Sequence, residues 1–266
     1  MVNLDWLEEL IKYTIVSTYV KDETPVSLLV IAEPETGKTK CLEKFANINS
    51  VLYATDFTRF GLTRDWWPKI QAGIYRTIIV PDMVQLVAGK GQHTAEGIIA
   101  FLNSITEEGL KSISTFGISL NADHPIKMAF IGAIPKSIYI DRRSTWRKMG
   151  FVSRTLPISY THSKQTTAMI LGYITKSQHT IEPEILLNLP TEPMSVELSE
   201  TLAETMLPLS QALSGALEEK GYRLQRHLQV LAKARALSEQ RLCVNEEDIM
   251  RIKELAAWIN LDFKPI

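Results

Sequence analysis

The chain has 266 residues, of which 45% are hydrophobic and 22% charged, and its formal net charge at pH 7 is −1. This composition excludes an intrinsically disordered chain, and no apolar run approaches the roughly 20 residues that a membrane-spanning helix needs. The small net charge argues against a protein that coats nucleic acid by bulk electrostatic attraction. The first residues lack the basic flank and apolar stretch of a secretory signal, so we expect a cytoplasmic location.

Helices and strands are predicted to alternate over the first 160 or so residues. The apolar spacing of residues 3–19 predicts an amphipathic helix, and five short apolar runs after it predict strands. These runs span residues 27–31, 51–54, 76–80, 126–134 and 155–160. Nearly continuous apolar strands separated by helices are typical of a parallel sheet that is covered on both faces.

After residue 163 the strand patterns stop and helical patterns take over. A helix is predicted from residue 222 to residue 237, and the last helix is predicted to begin at Asn245, with acidic residues in its first turn. We therefore predict an α/β core over residues 1–162 and an all-helical domain over residues 163–266. Cys41 and Cys243 are far apart in the sequence and are predicted to be reduced and structural.

The most specific motif follows the first predicted strand. Residues 32–39 read Ala-Glu-Pro-Glu-Thr-Gly-Lys-Thr, a Walker A motif with alanine in place of its first glycine. Backbone N–H groups of such a loop bind phosphate oxygens, its lysine contacts the β- and γ-phosphates, and its last hydroxyl binds Mg²⁺. The acidic side chains of the loop should point outward, and Ala32 should have a negative φ. The residues predicted to bind ATP here are Glu35, Thr36, Gly37, Lys38, Thr39 and Lys40.

A metal-binding carboxylate is predicted at the end of the third strand. Asp82 follows Pro81 there and suits the Walker B aspartate that binds Mg²⁺ together with Thr39. An aspartate that caps the next helix is the alternative interpretation. The following residue is Met83, at a position where many such enzymes have a glutamate that activates the attacking water.

Basic residues are concentrated between positions 136 and 154. Arg154, just before the last predicted strand, suits an arginine that reaches into a neighbouring subunit's site. Arg223 and Arg226 lie one turn apart on a later helix, and one of them is predicted to fold back onto the γ-phosphate. A solvated helix surface is the alternative interpretation for all these basic side chains. The basic residues between positions 136 and 154 are Lys136, Arg142, Arg143, Arg147, Lys148 and Arg154.

The order of these motifs resembles that of AAA+ ATPases, and in particular the branch that contains the minichromosome-maintenance (MCM) helicases. Phe-Val-Ser-Arg, ending at Arg154, is similar to the arginine-finger segment of that branch, and Arg223, with Ala234 eleven residues later, is similar to its sensor 2 segment. Residues 244–249 resemble the opening of the last lid helix, and residues 111–118 resemble a hairpin insertion. The resemblance implies a homo-oligomeric ring or filament, hexameric in the family, in which both arginines act on ATP.

Two positions depart from this family. Met83 replaces the Walker B glutamate, and residues 132–135 supply no polar sensor 1, so ATP binding is better supported than rapid hydrolysis. Glu107 and Glu108 are the acidic residues that are candidates to replace the missing water-activating glutamate.

Two functions stay open at this stage. The first is an ATP-dependent oligomer that acts on DNA through a pore loop at residues 119–124. The second is a non-hydrolysing, ATP-dependent switch that polymerises and recruits a protein partner. A small-molecule kinase fits the pattern less well.

Overall fold

The computed structural model describes residues 3–58, 61–87, 91–115, 118–176 and 185–266. The strands within these ranges are β1 Leu28–Ala32, β2 Val51–Tyr53, β3 Thr77–Val80, β4 Leu110–Thr115, β5 Ile118–Ile126, β6 Ala129–Pro135, β7 Leu156–Thr161 and β8 Lys264–Pro265. The α-helices are α1 Asp5–Ser17, α2 Lys38–Glu43, α3 Trp67–Gln71, α4 Val84–Val87, α5 Gln92–Asn103, α6 Lys136–Lys148, α7 Lys164–Thr175, α8 Glu200–Glu204, α9 Leu207–Leu217, α10 Tyr222–Ser238 and α11 Glu246–Leu255.

Six of the strands form one parallel sheet in the order β2-β3-β6-β1-β7-β8. At the carboxyl end of the central strand β1, Ala32 lies opposite Pro135 of β6 and Tyr160 of β7. Every residue of β1 is buried, as expected for a strand that is covered on both faces. Because the strands are parallel, their carboxyl ends form one edge of the sheet, and the loop after β1 lies at that edge.

The predicted α/β class and all five predicted strands are confirmed, with ends that differ by at most three residues. The first helix is confirmed over the range Asp5–Ser17. The last helix begins as predicted, because the side chain of Asn245 accepts the N–H of Asp248, whose carboxylate accepts the N–H of Asn245 in return. This reciprocal capping box satisfies two backbone donors at the helix start.

Alternate residues of β1 enter two hydrophobic clusters on the two faces of the sheet. The first cluster extends from Leu4 to Ile259 and contains α1, α2 and the C-terminal helices, with α10 packed directly on α1. The second cluster includes Trp67, Phe130 and Trp146. The C-terminal helices therefore share a core with the sheet.

The end of the chain differs from the predicted all-helical segment. Lys264 pairs with Tyr160, so that β8 extends the parallel sheet by one strand, and Ile259 forms an isolated bridge with Ile158. Both residues of β8 are exposed. A two-residue strand without buried side chains has no hydrophobic pattern, and sequence periodicity therefore does not reveal it.

A hairpin, which the resemblance implies over residues 111–118, is present because β4 and β5 pair antiparallel, although residues 116 and 117 of that segment lie outside the described residues. Residues 119–124, however, are not a loop, because they lie inside β5. The alternation around buried Ala122, with Asn121 and Asp123 exposed, is typical of a half-buried strand. The turn before β4 is held at the amino edge of the sheet, where Ile105 accepts the backbone N–H of Met128 at 3.0 Å.

Both cysteines are free thiols, as predicted. Cys41 is buried, and burial raises the pKa of its thiol to about 12, whereas Cys243 is exposed. Within the described part of the chain, no helix has both the length and the apolar character that crossing a bilayer requires.

Candidate phosphate-binding site

The Walker A loop connects β1 to α2 at the carboxyl edge of the sheet. Two of its residues, Glu35 (φ 61°) and Gly37 (φ 85°), adopt the left-handed conformation, and Gly37 directly precedes the first residue of α2. Ala32 is not among the residues with positive φ, as predicted. The side chains of Glu33 and Glu35 are exposed, which confirms that they point outward from the loop.

Lys38 lies almost wholly buried inside this loop. Its ammonium group donates to the carbonyl oxygens of Ala32, at 2.9 Å, and Glu33, and it lies 3.3 Å from the hydroxyl of Thr36. Burial lowers the pKa of Lys38 to about 8, although the negative charges of Asp82 and Glu33 act in the opposite direction. A partly desolvated ammonium group at the centre of a loop is well placed to bind an anion.

Thr39 and Asp82 lie at the same edge as Lys38. The hydroxyl of Thr39 is 3.5 Å from the carbonyl oxygen of Pro81, immediately before Asp82. One carboxylate oxygen of Asp82 accepts the backbone N–H of Val84 at 2.9 Å, which is the contact that the alternative prediction, a helix-capping aspartate, requires.

One hydroxyl and one carboxylate suit Mg²⁺ that arrives with a polyphosphate and keeps several of its waters. Among the described residues, no group of three or more His, Cys, Asp or Glu side chains forms a protein-only metal site. The residues present therefore fit a nucleotide-bound Mg²⁺ better than a structural metal.

Two aromatic residues next to the loop were missed by the sequence reasoning. The buried hydroxyl of Tyr160 donates to the carbonyl oxygen of Thr36 at 3.2 Å. His162 also interacts with the backbone of Thr36; burial lowers the pKa of its ring, that backbone contact opposes the decrease, and Lys38 adds to it. Only the pairing of β7 with β1 brings these residues to the loop, although their position at the carboxyl end of a predicted strand is a signal that could have indicated them.

Lys136, the first residue of α6, also lies beside the loop. Its ammonium group is 3.9 Å from the carboxylate of Glu33 and 4.0 Å from the ring centroid of Phe263. By contrast, the predicted phosphate ligand Lys40 is 78% exposed and pairs with Glu43 at 3.2 Å. Only the backbone N–H of Lys40, in the first turn of α2, is then suited to contact phosphate.

Met83 is fully buried, and its N–H bonds to the carbonyl oxygen of Ala133 at 2.8 Å. It packs close to Gly132, where an added Cβ would lie 2.5 Å from the Met83 sulfur. This position is part of the core, so no group there activates water. The absence of a polar side chain over residues 132–135 is likewise consistent with a strand that is buried except at Pro135.

Arg154 lies at the opposite edge of the sheet, two residues before β7. Its guanidinium donates to the carboxylate of Glu108 at 2.8 Å and to the carbonyl oxygen of Gly150 at 2.9 Å, and its side chain is only 16% exposed. Burial raises the pKa of Glu108, but the hydrogen bonds to its carboxylate and the positive charges of Arg154 and Arg223 together outweigh burial, so the pKa is lowered overall. The five residues of β1 separate this edge from the loop by about 16 Å. Arg154 therefore contributes nothing to its own subunit's phosphate loop.

Arg223 lies at this amino edge as well. It pairs with Glu107 at 3.2 Å, and the turn that contains Glu107 is bonded to the start of β6. Arg226 is exposed one turn further along α10. The structure thus brings neither arginine to the loop of its own subunit, contrary to the prediction that one folds back onto the γ-phosphate. Glu107 and Glu108 are equally remote from that loop, so they do not replace the missing glutamate there.

The predicted basic patch on α6 is partly neutralised. Arg147 donates to the carboxylate of Glu218 and, at 2.7 Å, to the carbonyl oxygen of Leu217, and Arg143 lies 4.0 Å from the same carboxylate. These contacts join α6 to the end of α9. Two members of the patch, Arg143 and Arg147, therefore form a structural contact between helices.

Comparison with known proteins adds no further assignment, since neither a protein-family model nor a curated protein matches the chain. The chemistry of the site rests on its own residues. Those residues form one group at the carboxyl edge, around Lys38 and Asp82, and a second, ion-paired group at the amino edge, around Arg154 and Arg223.

Proposed function

We propose that this chain binds a magnesium nucleoside triphosphate, ATP by its resemblance, as an AAA+-like module that forms a ring or filament of identical subunits. The observation that carries the proposal is the buried ammonium group of Lys38 within the Walker A loop, with Thr39 and Asp82 beside it. The positive charge of Lys38 would stabilise the phosphates, and Thr39 and Asp82 would supply oxygen ligands for Mg²⁺. The bound Mg²⁺ would neutralise further negative charge on the phosphates. A helical lid formed by α7 to α11 and a cytoplasmic location belong to the same proposal.

Two observations favour slow hydrolysis in the isolated subunit. Met83 fills the core at the position of the water-activating glutamate, and Glu107 and Glu108 lie at the opposite edge of the sheet. Rapid turnover then depends on groups from a second copy. Arg154 and Arg223 share one edge and are outside their own site, which suits a contribution to a neighbouring site, provided that phosphate displaces Glu108 and Glu107 from them.

Calorimetry with Mg–ATP tests the binding step. We expect saturable binding to the wild type, at least a hundredfold weaker binding to Lys38→Ala, and unchanged binding to Lys148→Ala, which removes an exposed positive charge at the far end of α6. The absence of binding to the wild type, or full affinity in Lys38→Ala, would refute the proposal.

A second candidate function, a non-hydrolysing switch that recruits a protein partner, is favoured by the buried Met83. Steady-state ATP hydrolysis with and without DNA separates this switch from an oligomer that acts on DNA. A DNA motor must hydrolyse ATP continuously, whereas a switch need only bind it. Electron microscopy with a non-hydrolysable ATP analogue then shows whether rings or filaments form. A protein that stays monomeric with bound nucleotide would contradict the oligomer.

A further inference from the structure

We propose that Lys136 is a second phosphate-binding cation of this site, one that recognises the terminal phosphate of a nucleoside triphosphate and is held by Glu33 until that phosphate binds. This inference rests on the proposed nucleotide binding and specifies how the site distinguishes a triphosphate from a diphosphate. It assigns a role to a residue that no motif identifies.

The sheet order places Lys136 between the two halves of the site. β6 lies between β1, which leads into the phosphate loop, and β3, which leads to Asp82. Pro135 is opposite Ala32, so Lys136 emerges from the sheet beside Glu33. Neighbouring strands are about 4.8 Å apart, a distance that the flexible four-carbon stem of lysine readily spans.

The present contacts of Lys136 are loose enough to be exchanged. Its ammonium group is 3.9 Å from the Glu33 carboxylate, beyond hydrogen-bond distance, and the two side chains are 36% and 54% exposed. The ring of Phe263, with its centroid 4.0 Å away, supports the cation without neutralising it. Exposed pairs of this kind contribute little to stability.

Glu33 contacts both Lys136 and Lys38, the lysine of the Walker A loop. The backbone carbonyl of Glu33 accepts a hydrogen bond from Lys38, while its carboxylate faces Lys136. A carboxylate at this point repels a polyphosphate, and the pair with Lys136 reduces that repulsion. A terminal phosphate carries more negative charge than a carboxylate and attracts the ammonium group more strongly, so Lys136 exchanges Glu33 for phosphate. A diphosphate ends at its β-phosphate and lacks the γ-phosphate that reaches Lys136, so the pair with Glu33 then persists.

Calorimetry with Mg–ATP and Mg–ADP tests this selectivity. We expect the wild type to bind ATP more tightly than ADP, and Lys136→Met to weaken ATP binding about tenfold, equivalent to about 1.4 kcal/mol, while ADP binding changes less than about twofold. Lys136→Arg should restore most of the ATP preference. Lys148→Met removes a charge from the other end of the same helix and should leave both affinities unchanged. Thermal unfolding of each variant confirms that the fold is intact.

Glu33→Gln supplies an independent readout. It should strengthen ATP binding in the wild-type background, because Lys136 is released, and strengthen it less in the Lys136→Met background. Equal losses of ATP and ADP affinity in Lys136→Met, or no loss, would overturn the role of Lys136 while leaving nucleotide binding intact. If the wild type binds neither nucleotide, the proposed function itself fails.

Discussion

Nucleotide binding by this site should consume a proton at alkaline pH, because Lys38 is only partly charged there before binding. Burial lowers the pKa of Lys38 to about 8, from an ordinary value of 10.5. Phosphate oxygens that contact the ammonium group favour its charged form and raise this pKa again. In the pH range in which Lys38 of the ligand-free protein is neutral, ligand binding therefore restores its positive charge.

The size of the effect follows from the two pKa values. With a pKa of about 8, about nine in ten Lys38 side chains are neutral at pH 9 in the free protein, and fewer than about one in ten at pH 6.5. If bound phosphate returns the pKa to about 10.5 or above, binding takes up about 0.9 proton at pH 9 and almost none at pH 6.5.

Titration calorimetry at both pH values, in two buffers of different ionisation enthalpy, measures this uptake directly. An equal proton uptake at pH 6.5 and pH 9 would refute the reasoning, as would a release of protons at pH 9.

Stability provides a second test of the same pKa. Between pH 8 and 10.5 the unfolded chain binds more protons at Lys38 than the folded chain does, so the free energy of unfolding rises with pH in this window. The shift corresponds to a cost of about 3 kcal/mol for the folded state at neutral pH. Lys38→Met removes this dependence, and the wild type should gain about 2 kcal/mol more than the variant from pH 7.5 to pH 9.5 in urea unfolding. Parallel pH profiles would show that Lys38 is ordinarily charged.

Three further predictions concern residues outside the loop lysine. His227 is buried, and burial lowers its pKa to about 4, so acid should destabilise the fold. Relative to His227→Gln, the wild type should lose about 2 kcal/mol of unfolding free energy between pH 7.5 and pH 5. A difference in stability between the two proteins that stays constant over this pH range would contradict this. Arg154→Ala should leave nucleotide affinity near normal but abolish ATP-dependent assembly or turnover in sedimentation and hydrolysis assays, with Glu108→Gln as the matched control that frees the arginine; a large loss of monomer affinity would place Arg154 in its own pocket. Tyr160→Phe removes the bond to the phosphate-loop carbonyl and should cost about 1 kcal/mol in chemical unfolding, and an unchanged stability would show that the bond contributes nothing.

The helical arginines show why a motif does not fix the geometry of a site. The one-turn spacing of Arg223 and Arg226 on a helix predicts that one of them folds back onto the γ-phosphate of its own subunit. The position of α10 is set instead by the burial of its apolar residues against α1, and Arg223 is fixed at the amino edge by its pair with Glu107. Packing between helices that are far apart in the sequence, such as α1 and α10, leaves no local sequence signal.

The sequence by itself determined the local features of this protein. Apolar runs specify the strands, the Walker A residues specify a loop that requires left-handed backbone at Gly37, and Asn245 specifies a helix start, because each of these depends on neighbours within a few residues. Only the tertiary structure decided which strands are adjacent. That order places Lys136 and Tyr160 beside the loop and leaves Arg154 at the far edge, since hydrophobic burial and parallel pairing join segments that are more than a hundred residues apart.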